Sequence, residues 1–205
     1  MTNPKRPRIH FQSFESPEFW VGDYAKFASA VGYATWAWNA LHADLCDLFW
    51  TITDIQEPYV PRAIWHAVRS DAGQRKVLLE AATARLVNDQ EALNEINWLK
   101  REVDAIALFR NDATHTLWTV LHDPRADPCS PNYWSSRRAV PDVERGNPRG
   151  KRLEGQSVEE VLLAFAGYCM TLIQFSRAID IRVGGSDEGD PLPQRPERPS
   201  ALTTR

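Results

Sequence analysis

The stretch Leu108-Phe109-Arg110-Asn111-Asp112-Ala113-Thr114-His115-Thr116-Leu117-Trp118 lies inside the longest helical pattern of the chain. Upstream of it, Ile96, Leu99, Val103 and Ile106 recur at spacings of three and four, and positions 110, 113, 117 and 120 extend the row. That alternation is one face of an α-helix. Ala113, Leu117 and Val120 suit an inward row, but position 110 is arginine. Desolvating a lone charge costs on the order of several kcal/mol, so an inward arginine calls for partners or a function. Asn111 and His115 are four apart and share the adjacent face. Arg110 is about 100° round the helix from Asn111 and has a side chain long enough to approach the same spot.

This trio suits phosphate chemistry. An imidazole exchanges protons near neutral pH, a guanidinium presents a planar fork of donors to phosphate oxygens, and an asparagine orients either neighbour. The pattern Arg110-Asn111-Asp112-Ala113-Thr114-His115 resembles the R-x(4–6)-H motif of the HEPN superfamily, with Asn following the Arg. The resemblance spans residues 24–183 in architecture and six residues in motif. It implies a metal-independent endoribonuclease acting as a toxin or defence effector. In that chemistry His115 serves as general base or acid on the RNA 2′-hydroxyl, Arg110 stabilises the phosphorane and Asn111 holds the geometry. The products are a 2′,3′-cyclic phosphate and a 5′-hydroxyl. The resemblance also implies a homodimer that brings two motifs together, and an antitoxin protein as a candidate partner. The alternative is a catalytically silent HEPN-like helical protein that binds RNA or a protein partner. A metal- or ligand-binding bundle built on His42, His115 and His122 is a third reading. No metal and no cofactor is expected, because His115 and His122 are two turns apart rather than one.

The remaining pattern predicts an all-α, antiparallel bundle of four to five helices. A first helix is expected over about Asp23–Asp54, with Val31, Ala34, Trp38, Leu41, Leu45, Leu48 and Ile52 inward and Asp23 as cap. A short helix follows over Pro61–Ser70 and a third over Ser70–Val87, with Val77, Leu78, Ala82 and Leu86 inward. The motif helix is expected over Gln90–His122, capped at Asn88-Asp89. The last helix starts at Ser157 with Glu160 three residues on, a capping box, and runs to Gly184-Gly185. His42 is read as structural, and Arg62/His66 as one residue short of the motif. Arg69, Arg75 and Lys76 are read as a solvated face. Asp104 lies too far along the helix to pair with Arg110, which leaves Asp44 or Asp47 as its candidate partner.

Between the last two helices, residues 123–156 carry Pro124, Pro128, Pro131, Pro141 and Pro148, which exclude a long helix. Basic residues interleave there with Tyr133 and Trp134, a mixture that suits single-stranded RNA. Arg137, Arg138, Trp134 and Trp118 are the candidate substrate-binding residues, and a short hairpin is expected around Tyr133–Val140 and Lys151–Leu153. The domain is therefore 23–183, with an N-terminal arm (1–22) and a Pro-rich C-terminal tail (184–205) expected to be disordered. A hydrophobic content of 43% fills a core, and a net charge of −3 argues against a protein that coats DNA in bulk. Three unpatterned cysteines suggest neither a zinc site nor disulfides. No apolar stretch is read as spanning a membrane, and the expected location is cytoplasmic.

Overall fold

The computed structural model describes residues 17–57, 59–115, 118–121, 138–141, 157–185 and 192–203, with side chains from residue 28 to 112 (58 excepted) and again over 157–185 and 192–203. The architecture is an all-α bundle. Its helices are α1 (Pro17–Thr53), α2 (Tyr59–Ala67), α3 (Asp71–Arg85), α4 (Gln90–His115) and α5 (Val158–Gly184). A two-stranded antiparallel pair, β1 (Trp118–Leu121) and β2 (Arg138–Pro141), lies between α4 and α5, and a 3-10 turn (Ser200–Leu202) follows α5.

Local chemistry sets the helix ends. Ser70 caps α3 by accepting the Gly73 N–H at 3.1 Å, Asp89 caps α4 by accepting the Ala92 N–H at 3.1 Å, and Ser157 caps α5 by accepting from Glu160. These are the oxygen acceptors that a first turn needs. Asp54 stops α1 with φ at 52°, a left-handed value that aspartate tolerates better than most residues. At the other end α1 starts at Pro17, not Asp23; proline suits a first helical position because its missing N–H would go unbonded there.

Cross-helix pairs fix the directions. Asp44 pairs with Arg177, and a Cβ at Gly184 would lie 2.8 Å from Thr51 Cγ2, so α1 and α5 run parallel at close range. His42 meets Arg75 and Asp54 meets Arg85, so α3 runs the same way. Trp98 packs edge-on against Phe175, Tyr168 reaches Glu102 and Arg182 reaches Asp89, so α4 runs the opposite way. Consecutive helices α3, α4 and α5 therefore alternate.

The core is shared by all of these helices. Leu41, Leu45, Leu48 and Ile52 of α1, Leu78 and Ala82 of α3, Ile96, Leu99, Val103 and Ile106 of α4, and Phe165, Leu172 and Ile179 of α5 are buried. By length and composition α5 is apolar enough to cross a membrane, with half of the qualifying stretch buried inside the bundle. The sequence reading missed this because Thr171, Gln174 and Ser176 interrupt the run without lowering its average much.

Three expectations change. The motif helix ends at His115 rather than His122, and residues 118–121 pair as a strand in the register Trp118↔Pro141 and Leu121↔Arg138. The β-branched and aromatic run Trp118-Thr119-Val120 favours a pleated strand once the helix is no longer paid for by core contacts. The expected Tyr133–Val140 hairpin is thus replaced, at residues 138–141, by pairing with β1; Lys151–Leu153 lies outside the described residues. The tail is not disordered over residues 192–203: Leu192 packs on the core and Leu202 is buried.

Replacing Leu172, which has no exposed surface, with alanine is expected to cost about 2–5 kcal/mol in denaturant unfolding. Leu163→Ala, on the exposed side of the same helix, is expected to shift stability by less than about 0.5 kcal/mol.

Candidate functional site

The motif occupies the last turn and a half of α4. Phe109, not position 110, continues the buried row, and Asp112 follows it as a buried carboxyl. The inward row drifts by one position because steps of three from Ile106 replace the expected step of four. Arg110 is therefore half-buried on the flank of the helix. Its Nη1 donates to Asn111 Oδ1 at 3.1 Å. The guanidinium thus leans toward Asn111, whose position lies about 40° round the helix from that of His115. His115 is the last residue of α4; its side chain lies outside the described set.

Of the candidate substrate-binding residues, Trp118 opens β1 and Arg138 opens β2, so the strand pair begins three residues beyond His115. The side chains of Trp118 and Arg138, and all of Trp134 and Arg137, lie outside the described residues. Asp44 and Asp47 do not serve Arg110. Asp44 takes a two-bond pair from Arg177, Nε at 2.6 Å and Nη2 at 3.2 Å, and Asp47 is bonded by Arg62 at 3.2 Å.

The sequence reading overlooked a buried polar cluster. Arg75, read as part of a solvated face, is only 3% exposed. Its Nε and Nη2 both lie 2.7 Å from Asp104 Oδ1, its Nη1 lies 3.0 Å from His42 Nε2, and its guanidinium stacks over the Trp38 ring at 5.6 Å. Asp104 is also held by Lys100 at 2.7 Å, and Trp38 Nε1 donates to Asp71 at 2.8 Å. The signal was present: Arg75, Leu78 and Ala82 form the inward row of α3, so an arginine stands where an apolar residue is due.

The partners fix the state of His42. Guanidinium has only donors, so Nε2 must accept; the Trp38 carbonyl, 3.2 Å from Nδ1, must receive a proton. The ring is neutral with its proton on Nδ1. Burial lowers its pKa, and the charges of Arg75 and Arg110 lower it further against the Trp38 carbonyl and Asp71. Arg110 and the buried cluster therefore share one electrostatic field, but His42, with both nitrogens engaged, is not a base. Burial works to raise the Asp104 pKa; the bonds and charges of Lys100 and Arg75 outweigh it and hold it below the usual carboxylate range.

Burial pushes the Cys169 thiol up to about 12 and also raises Cys46, so both are packing groups rather than nucleophiles. Among the described residues no group of three His, Cys, Asp or Glu side chains is placed to hold a metal ion. No family model, curated protein or solved structure matches this chain.

Arg75→Ala is expected to cost about 1–3 kcal/mol, since it leaves the buried His42 nitrogen without its donor while Asp104 keeps Lys100. Arg62→Ala, at the exposed pair with Asp47, is expected to cost less than about 1 kcal/mol. The folded pKa of His42 lies below its unfolded value, so the unfolded state takes up the proton first and stability falls with pH. The loss begins near the unfolded value of about 6.5 and continues toward the folded one. His42→Gln, which keeps an acceptor for Arg75, is expected to flatten the unfolding free energy between about pH 7 and pH 5, measured by denaturant titration.

Proposed function

We propose that this protein is a metal-independent endoribonuclease of HEPN type. The observation that carries the reading is the lean of Arg110 toward Asn111, which brings a phosphate-binding fork toward the face that Asn111 shares with His115. In this reading the His115 imidazole withdraws the proton of an RNA 2′-hydroxyl or protonates the departing 5′-oxygen. Arg110 stabilises the charge gathering on the phosphorane, and Asn111 fixes the angle of the fork. The cleavage leaves a 2′,3′-cyclic phosphate and a 5′-hydroxyl. The segment after α4, with Trp118, Trp134, Arg137 and Arg138, is suited to stack and neutralise single-stranded RNA.

A homodimer belongs to this reading. Ser29, Gly32, Tyr33 and Trp36 share one face of α1 and line a shallow groove, with the two aromatic rings about 60% exposed. Aromatic side chains at such exposure suit an interface. An antitoxin protein as partner and a cytoplasmic location are part of the same proposal.

The second reading, a silent helical protein that binds RNA or a protein, is favoured by one observation. Arg110 is half-buried and hydrogen-bonded to its neighbour Asn111, a setting that a purely structural arginine also has.

The purified chain is expected to cleave single-stranded RNA in the presence of EDTA. His115→Ala is expected to lower the rate by about 10²-fold or more, the usual worth of a general acid or base, with unchanged helical circular dichroism. Equal cleavage by the His115→Ala protein would exclude the nuclease reading; no cleavage by either protein, with RNA retained in a gel-shift assay, would favour the silent one.

A further inference from the structure

The C-terminal segment carries a three-residue repeat, Leu192-Pro193-Gln194, Arg195-Pro196-Glu197, Arg198-Pro199-Ser200. Proline fixes its own φ near that of polyproline II and biases the residue before it to the same region. Pro199 has φ −54° and ψ 141°, the polyproline II conformation. That helix has three residues per turn, so Leu192, Arg195 and Arg198 fall on one side.

The two arginines meet α4 on the flank where it packs against α5. Arg195 Nε and Nη2 donate to the two oxygens of Glu95 at 2.7 and 2.8 Å, and its guanidinium lies over the Trp98 ring at 5.6 Å. Arg198 Nε and Nη2 donate to the two oxygens of Glu102 at 2.5 and 2.8 Å. Tyr168 Oη donates to Glu102 at 2.9 Å and lies 3.5 Å from the Pro196 carbonyl oxygen. Leu192 packs on the core.

The two spacings match. Arginines three apart in polyproline II are separated by about 9 Å. Glu95 and Glu102, seven apart on α4, are separated by about 10 Å along one face, with Trp98 between them at the i+3 position. Arginine and carboxylate meet as two-bond forks at both ends, an arrangement that reads both charge and register. Polyproline II segments lose little conformational entropy on docking and bind aromatic-lined grooves.

We propose that the α4–α5 groove is a receptor for tandem Arg-Pro triplets in polyproline II conformation, filled here in cis by the chain's own tail and open to the tail of a second copy in trans. The specificity elements are Glu95, Trp98, Glu102 and Tyr168. This inference does not depend on the nuclease reading. Burial works to raise the Glu102 pKa, but the bonds from Arg198 and Tyr168 and the charge of Arg198 hold it below the usual carboxylate range. The Arg198–Glu102 part of the grip is therefore intact at neutral pH and is lost only as the pH falls through the lowered pKa of Glu102.

The test uses the full-length chain and a fluorescent peptide of residues 190–203. R195E/R198E replaces the docked charges and empties the groove, so this variant is expected to bind the peptide at least about tenfold more tightly than the wild type, whose groove is occupied. A peptide carrying the same two reversals is expected not to bind. A second arm covers failure of that variant to fold. A protease site placed within residues 186–191 is cut after folding, and the labelled peptide is then expected to exchange with the severed tail, faster at high salt. Mixing the R195E/R198E chain with an E95R/E102R chain is expected to give a complex of the two that neither forms alone. Two results would overturn the proposal: a folded R195E/R198E chain that ignores the peptide, or a severed tail that never exchanges. A mixture of the charge-reversed chains that stays monomeric would overturn the trans claim.

Discussion

A guanidinium with almost no access to water holds three helices in register. Arg75 enters from α3, Asp104 faces it from α4, and His42 and Trp38 meet it from α1. Removed from water, such a charge is tolerable only with every donor directed at a partner. Here one edge of the fork spans a carboxylate oxygen, a terminal nitrogen meets an imidazole lone pair, and the flat face lies against an indole. Lysine presents a point charge and cannot satisfy this combination of fork, lone pair and ring face. The apolar rows of the bundle can slide past one another by a turn at modest cost. A polar cluster cannot, because a one-turn shift of about 5.4 Å breaks every bond in it. It therefore fixes the level at which α4 stands against α1 and α3, and so the height of Arg110, six residues or about 9 Å further along the same helix.

The opposite flank of α4 is fixed independently. Glu95 and Glu102 are gripped by the tail arginines, while Asp104 faces the other way toward Arg75. The helix is thus clamped from two sides over residues 95–104, and the motif projects from the end of the clamped portion. A site on a rigid element whose register is set by buried partners meets the positional demands of catalysis better than one on a loop. The pairs differ in worth. The Arg198–Glu102 contact is partly buried at both ends and the Arg75–Asp104 contact is buried at its arginine, whereas Arg62–Asp47 and Arg85–Asp54 are exposed at both ends and contribute little.

The sequence made the helices legible because their rows are long and their caps chemically simple: Ser70, Asp89 and Ser157 sit where the pattern asks for a side-chain acceptor. It made the end of α4 harder to see, because Leu117 and Val120 continue a helical period and also suit a strand. Only pairing with Arg138–Pro141, a contact between segments distant in sequence, decides between them. The tail was misjudged for a related reason. A proline-rich composition reads as disorder when averaged, yet its prolines recur every third residue, and that period is a structural signal as specific as a helical one. Arg110 drew attention as the charge in an apolar row, while the same test applied to α3 picks out Arg75, the more deeply buried of the two.

The geometry of one helix also bears on how many copies the proposed chemistry requires. Arg110 and His115 are five apart, so their directions diverge by about 140° and their Cα atoms by about 7.5 Å along the axis. Side chains on a helix lean toward its N-terminus, so the lean by itself does not close the angle between the two positions. The bend toward Asn111 recovers part of that divergence. A phosphate that is to touch both groups must lie off the helix end, within reach of an arginine turned outward. One motif offers such a phosphate a single fork and a single ring. A second motif facing the first would supply further donors and exclude water, which strengthens charge interactions at a scissile bond. On the proposed nuclease reading, the further donors would come either from a second motif facing the first or from the segment that follows His115.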